Sequence, residues 1–263
     1  MKTSSILKAG AAGVFYPNDG AKLHEWVRRF LREGHAAETL PKAVIAPHAG
    51  FLYSGPIAGS AFAAWATAHD SIKRVVVAGP SHRHRFNGIA IPSSDYFATP
   101  LGLVPVDTDA MQQLRAFPQI VEMDSAFRHE HCIETHLPFL QEALGEFSLV
   151  PLVVGNASPR DMAQALNLFW DDPATVFSIS SDLSHYLPYD EAVKLDALTT
   201  HAIENDLPHD IAPDQACGRI PILGLLHLAG RHKLTAHTLD VRNSGDTSGD
   251  RSRVVGYGAY AFS

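Results

Sequence analysis

Three strand-like runs of this chain end in histidine. AVIAPHAG (43–50) closes on His48, VVVAGPSHRH (75–84) on His82, and VFSISSDLSH (176–185) on Ser181, Asp182 and His185. Each run is rich in Val and Ile and breaks into Gly, Pro or Ser. In an open α/β sheet the carboxyl ends of the strands share one edge, and ligands sit in the crevice there. Histidines distant in sequence can therefore meet, and neutral imidazole is the commonest metal-ligating side chain. A fourth cluster, His129-Glu130-His131-Cys132-Ile133-Glu134-Thr135-His136, is dense in ligating groups but does not have the HExxH spacing of a zinc protease. On a helix, His131 and Glu134 share a face. An exposed, charged helix start reads equally well from the same residues. Asp246 and Asp250 sit in the loop Asn243-Ser244-Gly245-Asp246-Thr247-Ser248-Gly249-Asp250. A carboxylate from this loop could complete a set of two histidines and one carboxylate, the set that suits non-haem Fe(II) with open coordination positions. The loop is also made of ordinary turn-forming residues. Ser81 or Ser181 beside a histidine would give a metal-independent hydrolase, but the strained GxSxG elbow is missing.

The elements that must position these residues alternate between strand and helix. An amphipathic helix carries Leu23, Trp26, Val27, Phe30 and Leu31 on one face and stops at Gly34. A strand over 43–47 is followed by a helix over 56–68 with Pro56 in its first turn. Strand 74–78 ends in GPSH. Segments 88–94 and 101–107 read as a hairpin-like pair around DYFATP, and 108–117 as a short helix. Residues 129–144 read as helical with an interruption at Pro138, 148–155 as a strand, and 158–170 as a helix capped by Ser158 with Pro159 next. Strand 176–182, helices 188–204 and 213–230, a half-buried strand 234–241, the Gly/Ser/Asp loop 243–252 and a last strand complete the chain. The pattern predicts one α/β domain over 1–263, a central mixed sheet flanked by helices.

Composition narrows the function classes. The chain has 263 residues, 46% of them hydrophobic and 19% charged, as in ordinary globular proteins. A net charge of −7 argues against a general nucleic-acid binder but not against a small anionic ligand. The 15 histidines raise the prior for metal or proton chemistry. Cys132 and Cys217 allow one disulfide at most. The N-terminal stretch is too broken by Lys8 and glycines to read as a signal peptide, and no run approaches the roughly 20 apolar residues of a membrane span. A cytoplasmic protein with no membrane partner is the expectation.

Taken together, APHAGFLYSGPIAGSAF, GPSHRH, EHCIETHLPF, SSDLSHY, CGRIPI and NSGDTSGDRSRVVGYGAYAF, in this order, resemble the Memo-like family, which includes the AmmeMemoRadiSam system protein B group. The resemblance spans nearly the whole chain from about residue 10. It implies a single α/β domain similar to class III extradiol ring-cleaving dioxygenases of the LigB type, which hold Fe(II) through two histidines and a carboxylate. By motif, His48 and His82 match the two histidine ligands, His185 the acid/base histidine, and His131 and Glu134 positions lining the same pocket. Animal members carry a cysteine in the loop before the last strand. Here Thr247 falls at or beside that position, and Asp246 is the substitute ligand. The resemblance implies a divalent metal, Fe(II) foremost with Cu or Zn as alternatives, and redox chemistry on a small molecule. The competing reading is a non-catalytic module binding a peptide or protein in the same pocket. It also implies partner proteins of a radical-SAM system. Fold does not fix reaction, and no substrate follows from these motifs.

Overall fold

The computed structural model describes residues 4–35, 39–68 and 70–263; the first three residues of the N-terminal stretch lie outside them. In chain order the elements are β1 (Ile6–Leu7), α1 (Gly20–Glu33), β2 (Ala43–Ala46), α2 (Phe51–Ala63), β3 (Arg74–Pro80), β4 (Ile89–Ile91), β5 (Tyr96–Thr99), β6 (Gly102–Pro105), α3 (Thr108–Leu114) and β7 (Ile120–Glu122). There follow α4 (His131–Glu134), α5 (Leu137–Leu144), β8 (Ser148–Val154), α6 (Pro159–Asn167), β9 (Thr175–Ser180), β10 (His185–Leu187), α7 (Tyr189–Glu204), α8 (Arg219–His232), β11 (Ala236–Asn243), α9 (Ser244–Ser248) and β12 (Val254–Phe262).

The main sheet runs β10-β12-β2-β9-β3-β8-β4-β7, with β11 on β12. Its centre, β2-β9-β3-β8, is parallel, while β12 joins β2 and β4 joins β8 in antiparallel fashion. The sheet is therefore mixed and flanked by helices, as the alternating pattern predicts. A parallel centre covered on both faces explains why β2 and β3 are nearly continuous apolar runs and why β9, though it carries Thr175, Ser178 and Ser180, is buried along its whole length.

The parallel register also builds the site. β2, β9 and β3 are adjacent and point the same way, so their carboxyl ends open on one edge. His48, Asp182 and His82 each stand two residues beyond the last residue of their strand. β9 lies between the other two, so Asp182 is delivered between the two histidines.

Four local expectations change. The hairpin is formed by β5 and β6, with Thr99 opposite Gly102, and β4 instead joins the main sheet between β8 and β7. Ile89-Ala90-Ile91 is buried throughout, which suits a sheet interior better than a half-exposed hairpin. Helix α2 starts at Phe51, so Pro56 lies inside it. The carbonyl that Pro56 leaves without an amide belongs to Leu52, an exposed residue, where water can take its place. On the other face Gly59 allows α1 to approach: a Cβ there would lie 2.4 Å from the Phe30 carbonyl oxygen. Helix α8 begins at Arg219 rather than at 213. Its cap, Gly218, is wedged so that a Cβ would come within 2.5 Å of the Ser180 carbonyl oxygen. Within the loop 243–252 the chain forms the short helix α9, closed by an Asn243–Asp246 capping box. Ser158 does cap α6, through a capping box with Asp161, and Pro159 takes the first helical position. Among the described residues no helix is long and apolar enough to cross a membrane.

Candidate metal centre

His48, His82 and His131 each offer a ring nitrogen, and these atoms lie within 4.8 Å of one another. Such a group could hold a metal ion. The His82 and His131 rings stack at 4.6 Å between centroids, and His48 stands edge-on to both, at 5.0 and 5.2 Å.

Each imidazole is held by the elements around it. The only proton of Ser180 Oγ goes to the Cys132 carbonyl at 2.5 Å, so at 2.7 Å Ser180 Oγ accepts from His48 Nδ1. That fixes the proton of His48 on Nδ1 and leaves Nε2 with its lone pair. His82 Nδ1 donates to Glu130 Oε1 at 2.9 Å, while the His82 backbone amide donates to Oε2 at 2.7 Å. The same carboxylate caps α4, accepting from the amides of His131 and Cys132. Glu130 thus ties the end of β3 to the start of α4, and so places His82 against His131. Orienting a metal-ligating histidine through its second nitrogen, by a carboxylate or hydroxyl, is the usual arrangement around bound ions.

The remaining predicted residues take clear positions. Glu134 Oε2 accepts from the Gly10 amide and Oε1 from the Ala11 amide, each at 2.8 Å, and Oε1 also accepts from the Tyr16 hydroxyl. Its carboxylate is therefore spent on the N-terminal loop, whose Phe15 stacks on His131 at 4.2 Å. His185 donates from Nδ1 to the Leu183 carbonyl at 2.8 Å, leaving Nε2 for another partner. Asp246 stands in a different setting from the trio. One oxygen accepts from the Asn243 amide at 2.9 Å and the other from the Tyr189 hydroxyl at 2.7 Å, in a cleft between α7 and β11. Thr247 Oγ1 turns back to the Ser244 carbonyl. The imidazole that joins His48 and His82 is His131.

The carboxylate closest to His48 is Asp182. Its Oδ1 accepts from the His48 amide at 2.9 Å, and Oδ2 is 3.9 Å from His48 Nε2. On sequence alone Asp182 reads as part of a polar strand end whose Ser and Asp side chains can hydrogen-bond in the loop and orient the imidazole of His185. Its position two residues past a buried strand, the same offset as His48 and His82, was the available signal. Cys217, unplaced by the sequence, puts Sγ 3.3 Å from His48 Nε2, and both cysteines are free thiols. Ser81 Oγ donates to the His84 carbonyl and Ser181 Oγ to the Asp182 carbonyl, so neither serine is paired with an imidazole base.

Protonation follows from crowding and burial. Burial first, and then the neighbouring imidazoles, hold His48 well below the usual histidine range. Burial and His82 bring His131 down to about 4, and burial brings His136 down to about 3. Burial raises the Asp182 carboxyl, and it pushes the Cys217 thiol up to about 12. His82 holds the Glu130 carboxylate at about 2 despite its burial. Neutral imidazoles are the form that binds metal. The His131 Nδ1 is buried without a hydrogen-bond partner and lies 3.3 Å from Glu130 Oε1. The donor set thus fits a divalent transition ion.

These shifts predict how stability varies with pH. For His48, His131 and His136 the folded state holds fewer protons than the unfolded chain below pH ~6.5. Their contribution is complete above that pH and is lost as pH falls through the folded values, each by at most about 1.4 kcal/mol per pH unit. The carboxyls of Asp182, Glu134 and Asp196, raised by burial, act in the opposite sense, but only below their folded values, about 6 for Asp182, whereas the imidazoles act from pH ~6.5 downward. Urea midpoints of chelator-treated protein should therefore fall from pH 7 to pH 5. A midpoint that stays level would show that the buried imidazoles are not held neutral.

A family profile described as Memo-like protein matches residues 8–261. Among curated relatives, a MEMO1 family protein of Ignicoccus hospitalis is 35% identical, covering 95% of this chain and 96% of its own length. One of Aquifex aeolicus is 30% identical, covering 96% and 97%. One of Thermotoga neapolitana is 33% identical, covering 94% and 95%. Among solved structures, the uncharacterized protein JW3007 from Escherichia coli K12 superposes with a TM-score of 0.50 at 12% identity, over 85% of this chain and all of that one, a likeness of fold alone.

Proposed function

The chain belongs to the Memo-like family, and from that premise we propose that it is a metal-binding protein whose ion is held by His48, His82 and His131 at the carboxyl edge of the sheet. The observation that carries this reading is the convergence of three imidazole nitrogens within 4.8 Å, two of them oriented through their second nitrogen by Ser180 and Glu130. Imidazole donors suit zinc, copper and iron, and Fe(II) is the ion that the likeness to extradiol dioxygenases implies. When bound, such an ion supplies Lewis acidity and, for iron or copper, one-electron chemistry toward a small molecule.

The protein's own residues set the stage for that chemistry. His185, whose Nδ1 is taken by the Leu183 carbonyl and whose Nε2 is left for another partner, is the residue proposed to take or give a proton. Asp182, two residues past the end of β9 with its carboxyl raised by burial, is a carboxylate beside His48 that takes up a proton more readily than a solvated one. Phe15 covers one face of His131 and limits water there. Partner proteins of a radical-SAM system belong to this proposal as the family's expected context.

The test is calorimetric titration with Zn(II) and Fe(II) at pH 8 in buffers of differing ionisation enthalpy. Imidazoles are neutral at that pH, so the trio takes up one ion with almost no proton release. The thiol of Cys217, pushed up to about 12, would have to shed a proton to serve as a donor. Release of one proton per ion would therefore place Cys217 in the donor set, and the absence of saturable binding would remove the metal reading.

A further inference from the structure

Beside the trio lies a cleft of about 500 Å³, between the β3–β4 connection, the end of β8 and the start of α8. It meets the trio at two places: Ser81, in its wall, precedes His82, and Cys217, also in its wall, touches His48 Nε2. Its lining mixes apolar Phe86, Val154 and Ile220 with Arg85, Asn87 and Asn156, and no Asp or Glu is among the lining residues described.

Arg85 has no hydrogen bond or ion pair among the described residues, although the chain carries a net charge of −7. Arg74 pairs with Asp107 and Asp172 and Arg115 with Glu122, whereas Arg85 is one of the exposed arginines without such a carboxylate and is the one that lines this cleft. The floor under Arg85 is rigid. Asn156 Nδ2 donates to Asn87 Oδ1 at 3.0 Å, the Gly88 amide donates to the Asn156 carbonyl, and the Asn156 amide donates to the Phe86 carbonyl. A Cβ at Gly155 would lie 2.5 Å from the Phe86 carbonyl oxygen, so the two segments are held in close contact. With Asn87 Oδ1 occupied, its amide hydrogens are left for another acceptor. A preformed, half-apolar cleft with a few convergent polar groups is the usual form of a small-molecule site. A planar guanidinium with no internal partner suits a carboxylate, which it can pair through two parallel hydrogen bonds.

We propose that this cleft binds a small organic carboxylate with an apolar body. Arg85 pairs with the carboxylate, Asn87 donates to it, and Phe86 and Ile220 cover the body. That the bound acid is presented to an ion on the trio rests on the metal reading above; binding by the cleft itself does not.

The experiment is titration of the full-length protein with benzoate, benzamide and inorganic phosphate, each with chelator and with saturating Zn(II). Benzoate is expected to bind saturably at one site, with benzamide at least tenfold weaker. Arg85→Gln should lower benzoate affinity at least tenfold while leaving the Zn(II) titration unchanged. Equal affinity for benzoate and benzamide, or an unaltered benzoate affinity in Arg85→Gln, overturns the proposal. Displacement of benzoate by an equal concentration of phosphate also overturns it, in favour of a plain anion site. Benzoate binding in a protein that takes up no Zn(II) would sink the metal reading and leave the cleft proposal standing.

Discussion

The His82→Ala protein should bind a divalent ion at least about 100-fold more weakly than the unaltered protein while keeping its fold. Loss of a residue that merely orients a ligand costs 10–100-fold in affinity, and His82 is a ligand in this account, so its loss should reach or exceed the upper end of that range. The fold is expected to survive because the side chain is 29% exposed and fills no core volume. The backbone amide of residue 82 remains to bond Glu130 Oε2. His48→Ala should weaken binding as much, but His48 is wholly buried on Ser180, so part of its effect would come through the fold. Isothermal titration with Zn(II), with circular dichroism as the control for folding, separates the two. Unchanged affinity in a folded His82→Ala protein would remove His82 from the site.

The second large effect falls on a residue that touches no ion. Glu130 is buried and accepts from the His82 amide and Nδ1 and from the amides of His131 and Cys132. Glu130→Ala leaves all four donors without that acceptor. Hydrogen bonds to a charged group contribute about 1.5–3 kcal/mol each. These are not additive, and a loss of about 3 kcal/mol or more of stability is expected. Metal affinity should fall 10–100-fold, because His82 loses the partner that fixes its tautomer and His131 loses its helix cap. Glu130→Gln should recover part of the stability but less of the affinity, since its amide group presents hydrogens where His82 already donates two. Urea denaturation and Zn(II) titration read the two effects. A Glu130→Ala protein with unchanged affinity would show that the rings are placed without it.

The strand ends were the legible part of this site. His48 and His82 could be read because a buried parallel strand leaves a continuous Val/Ile run and a sharp Gly or Pro break, and the next polar residue lands on the sheet edge. Asp182 obeys the same offset, but its place between the two histidines depends on strand order, which no local pattern encodes. His131 was read as pocket wall because its role depends on Glu130 turning a charged helix start into a bracket between β3 and α4. On sequence alone 243–252 reads as a loop and Asp246 as a donor. The pair Asn243 and Asp246 has the spacing of a capping box, which takes one carboxylate oxygen, and the hydroxyl of Tyr189 on α7 takes the other. The β5–β6 hairpin was misplaced because Ile89–Ile91 is apolar enough for either an edge or an interior strand, and only the packing of β4 between β8 and β7 decides.

The central claim is that three imidazoles form the metal centre. Anomalous diffraction from crystals of the metal-loaded protein tests it most directly. The account predicts one ion bonded to a ring nitrogen of each of His48, His82 and His131 at about 2.0–2.1 Å for zinc. An ion found on Asp246, or one that leaves any of the three rings uncoordinated, would contradict it.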